Sequence, residues 1–545
     1  MSERIIAVRP ARSRLIRGAG IIAIVASASL TAGCFGGAPG PKSTKSTASP
    51  GITSVPGLPD AALEVMNQPQ FSHGRWVISV EDLDTGETII DLDGDKLAEP
   101  GSFVKTYSAG AAWVKWGPDH TITTPVKQSG TVSGGTLSGD LILVGQGDLT
   151  MGGRTKADGT VDYTNLDHND ANPLPGATLT TEDPLTGLND LAAQVKASGI
   201  TEVKGEVIVD DRLFTGTLAE KPVTPIIINQ NLLDIMITPG AEGKPATTAL
   251  TPAVSPWKLV SKVQTVGAGK DAELDDPTVS PEDPNTIVIS GTVAAGSAPA
   301  LKVYELEDPA TFARTAFIEA LQRAGVTVST NPTATNPEQS LPDQATVDAL
   351  PFAAKLVSLP LGEEVKYVMK ISYNRGAQTL VCRLAVDAGK TACNAGITVM
   401  QSIWADVKLD TLGASLIDGS GLDGNLITAQ NAVDIQAIMA KRPDAKRWQG
   451  TLPILGVDGS LADVQADSKA AGKVFAKTGT LLAGDAFNSR YRLVTKTLGG
   501  VMDTQKGRHF AFTIMVNQGF YKELAGVFEA NDDVGKVAAL IQQAY

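Results

Sequence analysis

The stretch Ser102-Phe103-Val104-Lys105 sets a hydroxyl and an amine three residues apart, which makes them neighbours on one face of a helix. A serine oxygen is a weak nucleophile until a base takes its proton, and a lysine can serve if it is uncharged at working pH. Burial and a nearby positive charge both favour the uncharged amine. Apolar Phe103 and Val104, with an alanine-rich segment behind them, fit a buried place. Ser-x-x-Lys recurs at Ser255-Pro256-Trp257-Lys258, which reads as a capped helix start with Pro256 in the first helical position. Ser-x-Asn occurs at Ser372-Tyr373-Asn374 and again at Ser329-Thr330-Asn331, where Pro332 follows in a polar turn. Lys477-Thr478-Gly479 is the one Lys-Thr-Gly of the chain and sits in an apolar, strand-like run. Histidine, the commoner base, occurs at His73, His120, His168 and His509, none of them beside a Gly-x-Ser-x-Gly elbow. Loop or surface positions suit all four. HExxH and clustered Cys/His patterns do not occur, so metal-assisted hydrolysis has no support.

The order Ser-x-x-Lys, Ser-x-Asn, Lys-Thr-Gly is the signature of β-lactamases and penicillin-binding proteins. Further segments carry the likeness: Glu99-Pro100-Gly101-Ser102-Phe103-Val104-Lys105-Thr106, Leu137-Ser138-Gly139-Asp140-Leu141, Gly145-Gln146-Gly147-Asp148 and Val209-Asp210-Asp211-Arg212-Leu213-Phe214. Asp418-Gly419-Ser420-Gly421-Leu422, Gly456-Val457-Asp458-Gly459-Ser460-Leu461 and Ala476-Lys477-Thr478-Gly479-Thr480-Leu481 complete it. From about residue 60 to 540 the chain resembles the class C low-molecular-mass penicillin-binding proteins, which are D-alanyl-D-alanine carboxypeptidases and endopeptidases. Ser102 and Ser372 lie 270 positions apart. That gap resembles the one this family fills with extra domains, whereas class A β-lactamases have only a few tens of residues there. A Glu-x-x-Leu-Asn motif for rapid deacylation is missing, which argues against a β-lactamase. A non-catalytic binding protein would have no need of Ser102 and Lys105.

The resemblance implies roles position by position. Ser102 attacks the carbonyl of the penultimate D-alanine, Lys105 takes its proton, and Ser372 relays that proton to the leaving D-alanine. Asn374 hydrogen-bonds the substrate amide and Lys105. Lys477 supplies positive charge, Thr478 and Thr480 bind the terminal carboxylate, and the backbone N–H groups of Ser102 and Thr480 form the oxyanion hole. Substrates are peptidoglycan peptides ending in D-Ala-D-Ala, β-lactams are inhibitors, and neither metal nor organic cofactor is required. Asp418 and Asp458 suit Asp-Gly turns or support of the site. Asp140 and Asp148 look structural. Tyr373 either lines the cleft or packs.

These residues need elements to hold them. Trp76–Val80 and Thr88–Leu92 read as a hairpin around Asp84-Thr85-Gly86-Glu87, and Phe103–Trp116 as a helix stopped at Gly117-Pro118. From 120 to 350 short strands such as Leu141–Val144 and Val207–Val209 alternate with Gly, Asp and Pro turns, around one helix at Asp308–Ala324. Helical patterns follow at 363–388, 394–405, 428–440 and 534–544, with strands at Val474–Thr480 and Phe510–Val516. The expected fold class is α/β (α+β): a β-lactamase/transpeptidase-like catalytic domain interrupted by a β-rich insertion of one or two domains. The boundaries fall at 59–120 for the first catalytic part, 121–351 for the insertion, with a nested module near 240–300, and 352–545 for the second catalytic part.

The 545 residues carry a formal charge of -13, which argues against nucleic acid, whose recognition needs clustered Lys and Arg. Five arginines between Arg4 and Arg17, the apolar run Ile21–Ala26 and small residues up to Cys34 have the anatomy of a secretory signal over residues 1–34. Leu30-Thr31-Ala32-Gly33-Cys34 resembles a bacterial lipobox, so Cys34 is the candidate lipidation site and membrane anchor of an extracytoplasmic, cell-envelope protein. Residues 35–58, rich in Gly, Pro, Ser and Thr, read as a flexible tether. Cys382 and Cys393 can bridge in an oxidising compartment or remain buried thiols.

Overall fold

The strand that opens the fold shows why two halves of the chain must meet. Trp76, Ile78 and Val80 pack on one face of its sheet and Val77 on the other, as alternation dictates. The structure is a computed structural model describing residues 51–545 except Asp423; the expectations for the signal segment and Cys34 lie outside the described residues. In chain order the main elements are α1 (Asp60–Met66), β1 (Arg75–Asp82), β2 (Thr88–Leu92), α2 (Lys105–Trp116), β3 (Thr123–Ser133) and β4 (Thr136–Val144). Then come α3 (Thr186–Ala197), β5 (Val207–Asp210), β6 (Leu232–Thr238), β7 (Ala300–Glu305), α4 (Pro309–Arg323) and β8 (Phe352–Val357). The last part holds α5 (Leu361–Lys370), α6 (Asn374–Asp387), α7 (Ala395–Asp406), α8 (Ala429–Ala440), β9 (Val474–Asp485), β10 (Arg490–Asp503), β11 (His509–Tyr521) and α9 (Leu524–Ala544).

The catalytic sheet runs β2-β1-β11-β10-β9, antiparallel throughout, so β1 from the first part pairs with β11 from the last. Helices α1 and α9 cover one face, through Met66, Val534 and Ile541. Helices α2, α5, α6 and α8 cover the other, through Tyr107, Val368, Leu380 and Ile435. Gly110 in α2 is explained by this packing: a Cβ there would sit 2.7 Å from the Trp404 ring of α7.

The middle of the chain builds separate sheets. In a six-stranded mixed sheet β4 lies antiparallel to β3 and parallel to β5, while β8 closes against β3. Its apolar face, with Leu141, Leu143 and Val209, meets Leu188 of α3 and Phe312 and Phe317 of α4. Strands β6 and β7 pair antiparallel, and residues 240–300 hold two small sheets of their own.

Several expectations need correction. The helix expected over 363–388 is two helices, α5 and α6. Ser372 adopts φ 59° between them, and the Tyr373 N–H donates to the Val368 carbonyl at 3.0 Å. That is a helix stop of the kind glycine usually provides, made here by serine. The tether's last residues are not free, because Val55 and Leu58 are buried against the sheet core. Lys258–Ser261 is a strand paired in parallel with Thr286–Ile289, not a helix, because its backbone groups are taken by that ladder. His168 is fully buried, its ring bonded to Asp234 at 2.7 Å and to Arg154 at 3.0 Å. Arg490–Asp503, not foreseen as a strand, is the fourth strand of the catalytic sheet. Cys382 and Cys393 are disulfide-bonded.

Candidate active site

Ser102 sits in a 3-10 turn, Gly101–Val104, that runs directly into α2. Three glycines let backbones close around that turn. A Cβ on Gly479 would lie 2.0 Å from the Pro100 carbonyl oxygen, and one on Gly421 would lie 1.9 Å from that of Gly101. Gly101 itself has φ 54°, and a Cβ there would sit 2.8 Å from the Thr480 nitrogen. The serine turn is thus pressed against β9 on one side and the Asp418–Gly421 turn on the other.

Lys105 occupies the first position of α2 and is fully buried. Its Nζ donates to Ser102 Oγ at 2.7 Å, to Asn374 Oδ1 at 2.6 Å and to the Ser420 carbonyl at 2.9 Å. Burial lowers the Lys105 amine from 10.5 to about 7, against the pull of the Asp418 and Asp170 carboxylates. Two of its three partners, the amide and peptide oxygens, can only accept. When the amine is neutral its lone pair has one useful direction, toward Ser102 Oγ. The Asp418 turn fixes the third partner: its carboxylate accepts the Ser420 and Gly421 N–H groups at 2.6 and 2.7 Å and the Ser420 hydroxyl at 2.9 Å.

Lys477, buried in β9, donates to Ser372 Oγ at 2.9 Å and to the Thr478 carbonyl at 2.8 Å. Burial, then the charges of Lys105 and Lys496, push its pKa well below the ordinary lysine value. The Ser372 and Asn374 side chains reach the two lysines because the left-handed turn at Ser372 redirects the chain between α5 and α6. Thr478 Oγ1 lies 2.9 Å from Ser460 Oγ, and Thr480 Oγ1 accepts from Lys496 at 2.7 Å. Behind Ser460, Lys370 bonds both Asp458 oxygens at 2.7 Å, and the Ile454 N–H donates to Asp458 Oδ1 at 2.9 Å. Tyr373 packs on Tyr367 with ring centres 5.6 Å apart and is 3% exposed, so it does not line the cleft.

The structure therefore brings Ser102, Lys105, Ser372, Asn374, Lys477, Thr478 and Thr480 to one cleft edge. The second Ser-x-x-Lys and Ser-x-Asn matches lie in the middle of the chain, away from these residues; Asn331 there offers its carbonyl to Arg314 at 3.0 Å. Four contributors escaped sequence reasoning. Ser420 acts through its backbone, which leaves no side-chain signal. Ser460 lay in a quoted segment without a role. Asp170, whose carboxyl burial raises to about 6 against the charges of Lys105 and Lys477, comes from the 3-10 turn His168–Asp170 of the middle block. Lys496 lies on the unforeseen strand β10. Among the described residues no cluster of metal-ligating side chains occurs.

The overall architecture matches that of penicillin-binding proteins. Penicillin-binding protein 4 (dacB) of Haemophilus influenzae superposes with a TM-score of 0.64 at 19% identity, covering 89% of this chain and 99% of that one. A second structure of that protein, complexed with a β-lactam, superposes at 0.61 with 20% identity over the same shares. The fold is thus that of a penicillin-binding protein. Residues 60–532 match the D-Ala-D-Ala carboxypeptidase 3 (S13) family, and the chain belongs to it. A D-alanyl-D-alanine carboxypeptidase of Actinomadura sp. (strain R39) is 28% identical over 445 residues, 76% of this chain and 75% of its own. This chain is a serine-type D-alanyl-D-alanine carboxypeptidase, a class of enzyme that works outside the cytoplasm on peptidoglycan peptides and binds β-lactams.

Proposed function

We propose that Ser102 is the residue acylated during release of the terminal D-alanine. The observation that carries this is the forced direction of the Lys105 lone pair, toward Ser102 Oγ, on an amine with a pKa near 7. Lys105 takes the proton as Ser102 attacks the penultimate carbonyl. The oxyanion is received by the Ser102 and Thr480 N–H groups, whose backbones adjoin through Gly101. Ser372, held by Lys477, passes a proton to the leaving amine, and Asn374 holds both Lys105 and the substrate amide. Lys477, Thr478 and Thr480 bind the terminal carboxylate. Water then hydrolyses the acyl-enzyme, and a β-lactam acylates the same oxygen. The same chemistry cleaves a D-alanyl cross-link wherever the cleft admits one.

Labelling with a fluorescent penicillin, peptide mapping of the modified serine and assay of D-alanine release test this reading. The label is expected on Ser102 and absent in S102A, which also releases no D-alanine from a pentapeptide. Release by S102A would overturn the assignment. Rapid turnover of penicillin, in place of a lasting label, would point to a β-lactamase.

Cys34 anchors the protein to the membrane as a lipoprotein, so C34S should move it from the membrane to the soluble fraction. The chain divides into catalytic parts at 59–120 and 352–545 around an insertion at 121–351, with which the separate sheet cores agree.

A further inference from the structure

Lys496 is 6% exposed, and its Nζ has one hydrogen-bond partner, Thr480 Oγ1. It pairs with no carboxylate among the described residues. A cation taken out of water without a counter-ion is costly, and the chain bears that cost at the edge of its reaction cleft. Burial alone lowers Lys496 to about 7, which records the same missing anion.

The register says where an anion would complete the group. Thr480 stands directly opposite Lys496 in the β9–β10 ladder, and the period of two puts Thr478 on the same sheet face. Thr480 is exposed, with Lys496 behind it. Because the Thr480 oxygen accepts from Lys496, its own proton is free to be donated outward. Lys477 leaves the opposite face of β9 and bonds the Thr478 carbonyl and Ser372 Oγ. Lys496 and the Thr478 and Thr480 hydroxyls thus share one face of the sheet at β9, and an amine with two hydroxyls matches the two oxygens of a carboxylate.

We propose that Lys496 is a second carboxylate-binding residue, acting with Thr480 to make the enzyme prefer a leaving residue with a free α-carboxylate over one whose carboxyl is blocked as an amide. This rests on the reading of Ser102 and Lys477 given above and adds the selectivity between free and blocked chain ends.

The test compares diacetyl-L-Lys-D-Ala-D-Ala with its C-terminal amide, as kcat and KM, in wild type, K496M and K496R. K496M should lose ~10–100-fold in kcat/KM on the acid and less than ~3-fold on the amide, collapsing the preference. K496R should keep most of it. Thermal unfolding of K496M should occur no lower than in wild type, because an unpaired buried charge has been removed. Equal losses on both peptides, or a lower Tm with no change in preference, would mark Lys496 as a packing residue and overturn the proposal. If K496M does not fold, K496Q is read by its acylation rate with benzylpenicillin against the penicillin methyl ester, with the same collapse expected. Wild-type enzyme that releases no D-alanine from the acid overturns the underlying reaction; an active K496M with undiminished acid preference overturns the role of Lys496 alone.

Discussion

Replacing Lys105 with arginine keeps the charge and removes any possibility of losing it. K105R should therefore lose acylation by penicillin by ~100-fold or more at every pH tested, without recovery in alkali. In the native enzyme the stopped-flow acylation rate should rise with pH around a midpoint near 7, where the amine becomes neutral. The same shift affects stability. The folded amine titrates near 7 and the unfolded one near 10.5, so across that window the unfolded chain binds more protons. From Lys105 alone, stability increases from pH 7 toward 10.5, and the burial penalty is felt in full below 7. At this scale the sequence was most legible where a residue acts through its side chain and lies in a motif, as Ser102, Lys105, Ser372, Asn374 and Lys477 do. It was silent where the contribution is a backbone oxygen, as at Ser420. It was misleading where a strand lysine would ordinarily face water, as at Lys496.

Elements position the site by stopping and turning in unexpected places. The end of α5 at Ser372 has no glycine or asparagine to announce it, so periodicity ran straight through the break. A non-glycine residue in the left-handed region costs ~1–2 kcal/mol. Lys370, at the end of α5, shows how the turn is braced: it is almost wholly buried, and Asp458 is its counter-ion. D458A should lower unfolding free energy by ~3 kcal/mol, because it strands the Lys370 charge and frees the Ser460 loop. Urea denaturation would measure this, and a K370M/D458A pair should recover part of the loss, as a double-mutant cycle would show. Strand β10 escaped notice for a different reason. It starts with the polar run Arg490 to Arg492, and its centre from Leu493 to Gly500 is buried on both faces, so no in-and-out alternation announces it.

Across the whole molecule, the middle block and the catalytic part are joined through a buried polar cluster. Arg154 binds Asp167 through two bonds of 2.8 Å, and the Asp167 turn leads to His168, which bonds Asp234. The Arg154 guanidinium stands 5.0 Å over the Tyr367 ring, which packs on Tyr373 beside Ser372. D167A should destabilise the protein by ~3–5 kcal/mol, read as a lower urea midpoint, because the buried guanidinium would lose its bidentate carboxylate and keep only the His168 ring as a hydrogen-bond partner. The 270-residue gap between Ser102 and Ser372 is plain in the sequence, but this cluster was not, since it reaches from Arg154 to Tyr367 and none of its members belongs to a motif. One consequence follows from the pairing of β1 with β11, which joins Val77 to Met515. Contacts of such long sequence separation form slowly, after the loop-closure entropy of the whole intervening chain has been overcome. Ser102 is made early during synthesis, but the edge strand β9 against which its turn rests, and the central strand β11 that ties β9 and β10 to β1, follow roughly 370 to 420 residues later. A nascent or truncated chain thus carries its nucleophile in an unarmed state, and catalysis begins only once the two ends have met.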